Sequence, residues 1–128
     1  MFIKSSYKDA SEQGIAGLTI AINWFSNNGY FVSLPIADVR PYDIIAERGN
    51  RLYKIQVKTT IVKHEFGSNN TKRLYYKISS KKYKKNDFHY YFIATPEENY
   101  LIPKKQVPET SGMKRLYLTS KYEKYQVK

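Results

Sequence analysis

The sequence predicts an α+β or α/β fold with a mixed central β-sheet. Three observations carry this: one amphipathic helical stripe near the N-terminus, a succession of short strand-like runs after it, and a two-residue turn joining two of those runs. At 128 residues the chain has the size of one domain, so recognition and chemistry are expected to share a single unit spanning 1–128.

The helix is predicted from about Asp9 to Asn27. Ile15, Leu18, Ile22 and Phe25 are spaced 3, 4 and 3 apart, as one apolar helical stripe requires. Asp9 suits the N-cap, and Asn27-Asn28-Gly29 supplies the stop. Tyr30 to Leu34 reads as a short strand closed by Pro35. Tyr42 to Arg48 and Arg51 to Thr60 read as two strands joined at Gly49-Asn50, a common hairpin turn. After a polar loop near Glu65 to Asn70 come strands near Arg73 to Ile78, Phe88 to Ala94 and Tyr100 to Ile102. Pro96-Glu97-Glu98-Asn99 turns between the last two, and Thr119 to Gln126 is expected to form a short helix.

The hairpin predicts a site by parity alone. If Gly49-Asn50 is a two-residue turn, Arg48 faces Arg51 and Asp43 lies across from Gln56. Ile44, Ala46, Tyr53, Ile55 and Val57 then share one face, while Asp43, Gln56 and Lys58 share the other. Strand spacing and rise put the last three groups within roughly 5–7 Å of one another. An ordinary hairpin can carry such a polar cluster on its solvent face. The same three groups also suit phosphodiester hydrolysis: a hard cation takes oxygen ligands such as Asp43 and the Gln56 amide, and Lys58 can orient water and neutralise charge building on phosphate. Glu12, three residues after Asp9, is either a further ligand aimed at that site or the acid of a capping box.

Charge identifies the partner class. With 22 Lys and Arg against 11 Asp and Glu, the formal charge is +11, which points to a polyanion. The segment Lys63 to Lys85 carries Lys63, Lys72, Arg73, Lys77, Lys81, Lys82, Lys84 and Lys85 against Glu65 alone, and its aromatics alternate with lysines, as in Tyr75-Tyr76-Lys77. Asn69, Asn70, Lys72 and Arg73 are the expected base-reading side chains, since Asn pairs with adenine and Arg with guanine. His64 is a candidate general base, although a lone His in a polar loop is more often just surface. Trp24 is expected in packing or a subunit contact. There is no cysteine, hence no disulfide or thiolate metal site, and an intracellular, cytoplasmic location on DNA is expected. No apolar run is long enough to span a bilayer, so no membrane role is expected.

Taken together, Glu12 on the first helix, Pro41-Tyr42-Asp43 and Gln56-Val57-Lys58 resemble the PD-(D/E)XK nuclease superfamily. Gln56 stands where most members have Asp or Glu. A Gln-x-Lys form makes the stretch from Glu12 to Thr60 most similar to group I intron homing endonucleases of that fold, and Asp87 to Phe92 with Tyr100 to Pro103 resemble their later core strands. The resemblance implies a restriction-endonuclease-like core, a mixed sheet flanked by helices. It implies Mg²⁺, with Mn²⁺ as a substitute, held by Asp43, Glu12, Gln56 and the main-chain carbonyl of Val57. It also implies cleavage of double-stranded DNA at a specific site by a homodimer or homotetramer. Holliday junction resolvases share the layout but usually keep an acid at the position of Gln56. A non-catalytic DNA-binding protein is the third reading, and the intact Lys58 argues against it.

Overall fold

Asp9 starts the helix as its sequence position predicts. In the computed structural model, which describes residues 1–7, 9–37, 39–68, 70, 72–79, 83–108 and 115–128, α1 runs Ala10–Asn27, and the Asp9 carboxylate accepts from the amides of Ser11 and Glu12 at 2.7 and 3.3 Å. At the other end Gly29 takes a φ of 85°, and the Tyr30 amide reaches back to the Phe25 carbonyl at 3.1 Å. That pairing closes the last turn, and only glycine adopts its backbone conformation without cost.

The buried face of α1 overlaps the predicted stripe but is turned from it: Phe25 is buried and Leu18 and Ile22 pack partly against the core. Gly17, Ile20, Ala21 and Phe25 face inward, while Ile15 is 69% exposed. The small residues Gly17 and Ala21 permit a close approach to the sheet, and this rotates the helix away from the phase that the largest apolar residues alone suggest. Trp24 packs as expected, with its ring 5.0 Å from Phe25 and 6.0 Å from Phe92, and its indole N–H donates to the Lys128 carbonyl.

The strands are β1 (Phe31–Ser33), β2 (Ile44–Arg48), β3 (Arg51–Thr59), β4 (Lys63–Phe66), β5 (Arg73–Ser79), β6 (Tyr90–Ala94), β7 (Asn99–Pro103), β8 (Arg115–Tyr117) and β9 (Gln126–Val127). Six of them form one mixed sheet in the order β1-β2-β3-β6-β7-β9, with β3 and β6 as its parallel pair. The connection between that pair contains β4 and β5, which join β8 in a separate three-stranded antiparallel sheet. The C-terminal segment predicted as a helix is a 3₁₀ segment at Ser120–Tyr125. No helix among the described residues is long and apolar enough to cross a membrane.

Alternation along β6 divides the core in two. Phe92 and Ala94 face α1 together with Ile44, Ala46 and Ile55. Tyr91 and Ile93 face the other way, onto Tyr76, Ile78, Leu116 and Tyr122 of the small sheet and the 3₁₀ segment. The central sheet is therefore covered by a helix on one face and by β-structure, where a second helix was expected, on the other.

A polar clasp ties the two sheets at their edge. Glu97, in the β6–β7 turn, pairs with Lys63 at 2.8 Å and accepts the Tyr76 hydroxyl at 2.9 Å. The Lys63 hydrogen bond and then the Tyr76 hydroxyl hold the Glu97 carboxyl below its ordinary value. Burial and the Glu97 bond push Tyr76 up to about 12. A depressed carboxyl contributes stability that is present above its unfolded value of 4.5 and lost as pH falls through the folded value. Glu97→Gln is therefore expected to cost less than about 1 kcal/mol at neutral pH, because the pair is solvent-screened. Thermal melts should show the gap to the unmodified chain narrowing as pH falls below 4.5.

Candidate active site

Sequence parity positions this site. The β2–β3 register pairs Ile44 with Ile55 and Arg48 with Arg51, as the two-residue turn requires, and Gly49 takes the turn with a φ of 63°. One step beyond β2, Asp43 continues the ladder: its amide donates to the Ile55 carbonyl at 2.8 Å. There the chain leaves the sheet, and the next β3 amide would lose its partner. The Asp43 carboxylate takes that place, accepting the Val57 N–H at 2.8 Å. The bond fixes the carboxylate over β3 beside Gln56 and Lys58.

These three residues line one cleft of about 400 Å³ with the N-terminal half of α1. Asp43, Gln56 and Lys58 are all half-buried. Burial lowers the Lys58 pKa below 10.5, and the Asp43 charge pulls partly back. The Lys58 ammonium also lies 5.5 Å from the centre of the Tyr83 ring. Because the folded chain binds this proton less tightly than the unfolded chain, stability rises with pH between the depressed value and 10.5. Lys58→Met should therefore melt at or above the temperature of the unmodified chain at pH 7. A lower melting point would show that the ammonium stabilises the fold.

The helix contributes a residue that the sequence does not single out. Glu12 is exposed and lines a different depression with Met1, Phe2, Lys4 and Tyr7, so it is not brought to the Asp43 cleft. Its backbone amide serves the Asp9 cap instead. The helical residues lining the cleft are Ala10, Gln13, Gly14 and Leu18. Gln13 donates through Nε2 to the Tyr7 carbonyl at 3.1 Å, which identifies Oε1 as the oxygen acceptor of this cleft-lining side chain. The signal for Gln13 is its position: it lies one helical turn before the close-packed Gly17.

Among the described residues, no three His, Cys, Asp or Glu side chains gather to hold a metal. The cleft offers one carboxylate and the amide oxygens of Gln56 and Gln13. This set fits Mg²⁺ in the mode that uses one carboxylate, retained waters and substrate phosphate, and it does not form a closed protein cage.

The basic side chains are distributed by the small sheet. Register places Arg73, Tyr75 and Lys77 of β5 on the same face as His64 of β4 and Arg115 and Tyr117 of β8, away from buried Tyr76 and Ile78. Tyr75 belongs to the aromatic-basic run that the sequence singles out, whereas Arg115 and Tyr117 lie outside it and join this face only through β8. Lys63 lies on the inner face, engaged with Glu97, and Lys72 sits 3.8 Å from Glu65. Asn70, Lys84 and Lys85 are exposed. Asn69, Lys81 and Lys82 lie outside the described residues.

Comparison with known proteins is consistent with this geometry. No curated protein matches the chain. A bacterial homing endonuclease, I-Ssp6803I, has a similar fold, with a TM-score of 0.68 at 20% sequence identity over 93% of this chain and 89% of that one. The family model described as PD-(D/E)XK endonuclease matches residues 8–127. With nearly its whole length matched, the chain belongs to the PD-(D/E)XK endonuclease family.

Proposed function

We propose that this chain is a Mg²⁺-dependent endonuclease that hydrolyses double-stranded DNA at a specific site, in the manner of a homing enzyme and as a homo-oligomer with one active site per subunit. The convergence of Asp43, Gln56 and Lys58 in one cleft carries the reading. Asp43 and Gln56 would hold the ion, with Gln13 and the Val57 carbonyl as further oxygen donors. When bound, the ion polarises the scissile phosphate and lowers the pKa of a water.

The chain's own residues do the rest. Asp43 is held by the Val57 amide, so its carboxylate needs no reorganisation when substrate arrives. Lys58, partly desolvated and close to Asp43, presents its ammonium to the phosphate oxygens and hydrogen-bonds the attacking water. With a single carboxylate, metal affinity is weak until DNA phosphate enters the cleft.

The outward face of β4, β5 and β8 supplies the DNA contacts, in a single unit with the catalytic core. A short antiparallel sheet fits the major groove, and Arg73, Lys77 and Arg115 alternate there with Tyr75 and Tyr117. Arg73→Ser and Lys77→Ser should each reduce the slope of log affinity against log salt by about 0.9, while Lys63→Ser, on the clasp, should change melting more than binding.

The test is cleavage of mixed plasmid and branched duplex substrates with Mg²⁺ or with a chelator. Discrete metal-dependent double-strand cuts in plasmid support the proposal. Cutting confined to branched DNA would replace it with a junction-specific nuclease. Binding without cutting on any substrate would leave a DNA-binding protein.

A further inference from the structure

A second cleft, of about 540 Å³, opens where β6 begins and β7 ends, and the hydrolytic chemistry does not use it. Tyr53, Phe88 and Tyr90 wall it, while His89, Lys85 and Lys105 stand among its lining. Its described lining residues include no Asp or Glu. Buried Lys104 lies beneath, its ammonium 5.5 Å from the Phe88 ring.

His89 is held by three bonds. Its amide donates to the Lys54 carbonyl at 2.8 Å, its carbonyl accepts the Lys104 amide at 2.9 Å, and its Nδ1 accepts the Lys54 amide at 2.8 Å. An Nδ1 that accepts a main-chain N–H carries no proton, so Nε2 carries one and is a fixed donor. Burial and the Lys54 charge lower the His89 pKa and favour this neutral form. The imidazole stands edge-to-face against Tyr53 at 6.0 Å, and Tyr53 stands likewise against Tyr90 at 5.9 Å.

An aromatic lining of half-buried Tyr53 and Tyr90 beside buried Phe88, a fixed N–H donor and several cations match one ligand chemistry: a nucleobase with its flanking phosphates. The volume suits one nucleotide and not a stacked duplex. We propose that this cleft binds a single unstacked nucleobase of the DNA strand, with Lys85 and Lys105 against the phosphates on either side. The inference rests on the reading of the chain as a DNA-acting enzyme. Tyr53 lies three and five residues before Gln56 and Lys58 on β3, roughly 10–17 Å away, or about three to five base-pair steps.

The test is fluorescence anisotropy, in chelator at pH 7.5, with labelled twelve-residue oligothymidylate and the same strand carrying abasic sugars throughout. The oligothymidylate should bind about fivefold or more tightly than the abasic strand, the low end of what base stacking on aromatic side chains contributes. Val107→Trp, which fills the cleft from its lining, should remove the difference and leave abasic binding unchanged. NMR of the unmodified chain provides a readout independent of that variant's folding: with two histidines in the chain, the His89 ring resonances should move with oligothymidylate and not with the abasic strand. Equal affinity for the two strands, or an unmoved His89, would overturn the proposal. So would a full base preference in a folded Val107→Trp protein, including one with altered self-association by sedimentation, which would assign the cleft to a second copy. Plasmid cleavage is scored separately. A chain that cuts DNA without discriminating bases loses this inference alone, and one that discriminates bases without cutting loses the endonuclease reading alone.

Discussion

Asp43→Asn is expected to lower the rate of DNA cleavage by about 10³-fold or more while leaving the fold intact. The asparagine carbonyl can still accept the Val57 N–H that closes the β2–β3 ladder, so the main structural bond survives. The charge does not, and Asp43 is the one carboxylate lining the cleft among the described residues. Metal and transition-state stabilisation amount to several kcal/mol, and each 1.36 kcal/mol is tenfold in rate. In chelator, DNA binding should hold or tighten, because without a bound ion the loss of an anion from a basic protein strengthens its attraction to phosphate. The Lys58 pKa should fall further, since Asp43 supplies the upward pull that partly offsets burial. Single-turnover cleavage and a binding titration on the same variant separate these effects.

Gly17→Ala is expected to destabilise the protein by about 2 kcal/mol, an overpacking cost, and to impair cleavage as well. A Cβ built at Gly17 would overlap the Thr59 Oγ1 and lie 3.2 Å from its Cβ. Helix propensity favours alanine by about 1 kcal/mol, so the steric conflict must exceed that gain to produce the expected sign. Rotating Thr59 about χ1 gives little relief, because its β-branch places another heavy atom near the helix. The helix must shift outward instead. Gln13, Gly14 and Leu18 line the active cleft from that helix, and Lys58 precedes Thr59 on β3. The damage therefore reaches the site. Thr59→Ala in the Gly17→Ala background should restore most of the melting temperature and part of the activity. A double variant no more stable than Gly17→Ala alone would place the strain elsewhere.

The same residues explain what the sequence discloses. The hairpin site is legible because period-two alternation and a two-residue turn admit only one pairing, and a one-residue slip would expose Ile44 and Ile55, both of which are buried. The helix is legible in extent and less so in phase. Hydrophobic spacing favours Ile15, whereas the structure buries Gly17 and Ala21 because small residues allow close packing on β3. That rotation moves Gln13 into the cleft and leaves Glu12 outside it. Short polar strands such as β4 and β8 carry no periodic signal. β8 is defined only by its pairing with β5, with Lys77 opposite Tyr117, forty residues apart in the chain. Charge composition likewise points to a polyanion but does not distinguish Lys63, which Glu97 engages, from Arg73 and Lys77 on the outward face.

The most direct test of the central claim, that Asp43 and Lys58 form one hydrolytic site in the cleft beside α1, is a side-by-side measurement of Mg²⁺-dependent plasmid cleavage. It compares the unmodified chain with Asp43→Asn, Lys58→Met and the distant surface variant Lys121→Met, each first shown to be folded by its melting curve. The account expects cutting by the unmodified chain and Lys121→Met and none by the other two. Cutting by Asp43→Asn or Lys58→Met at the unmodified rate would contradict it.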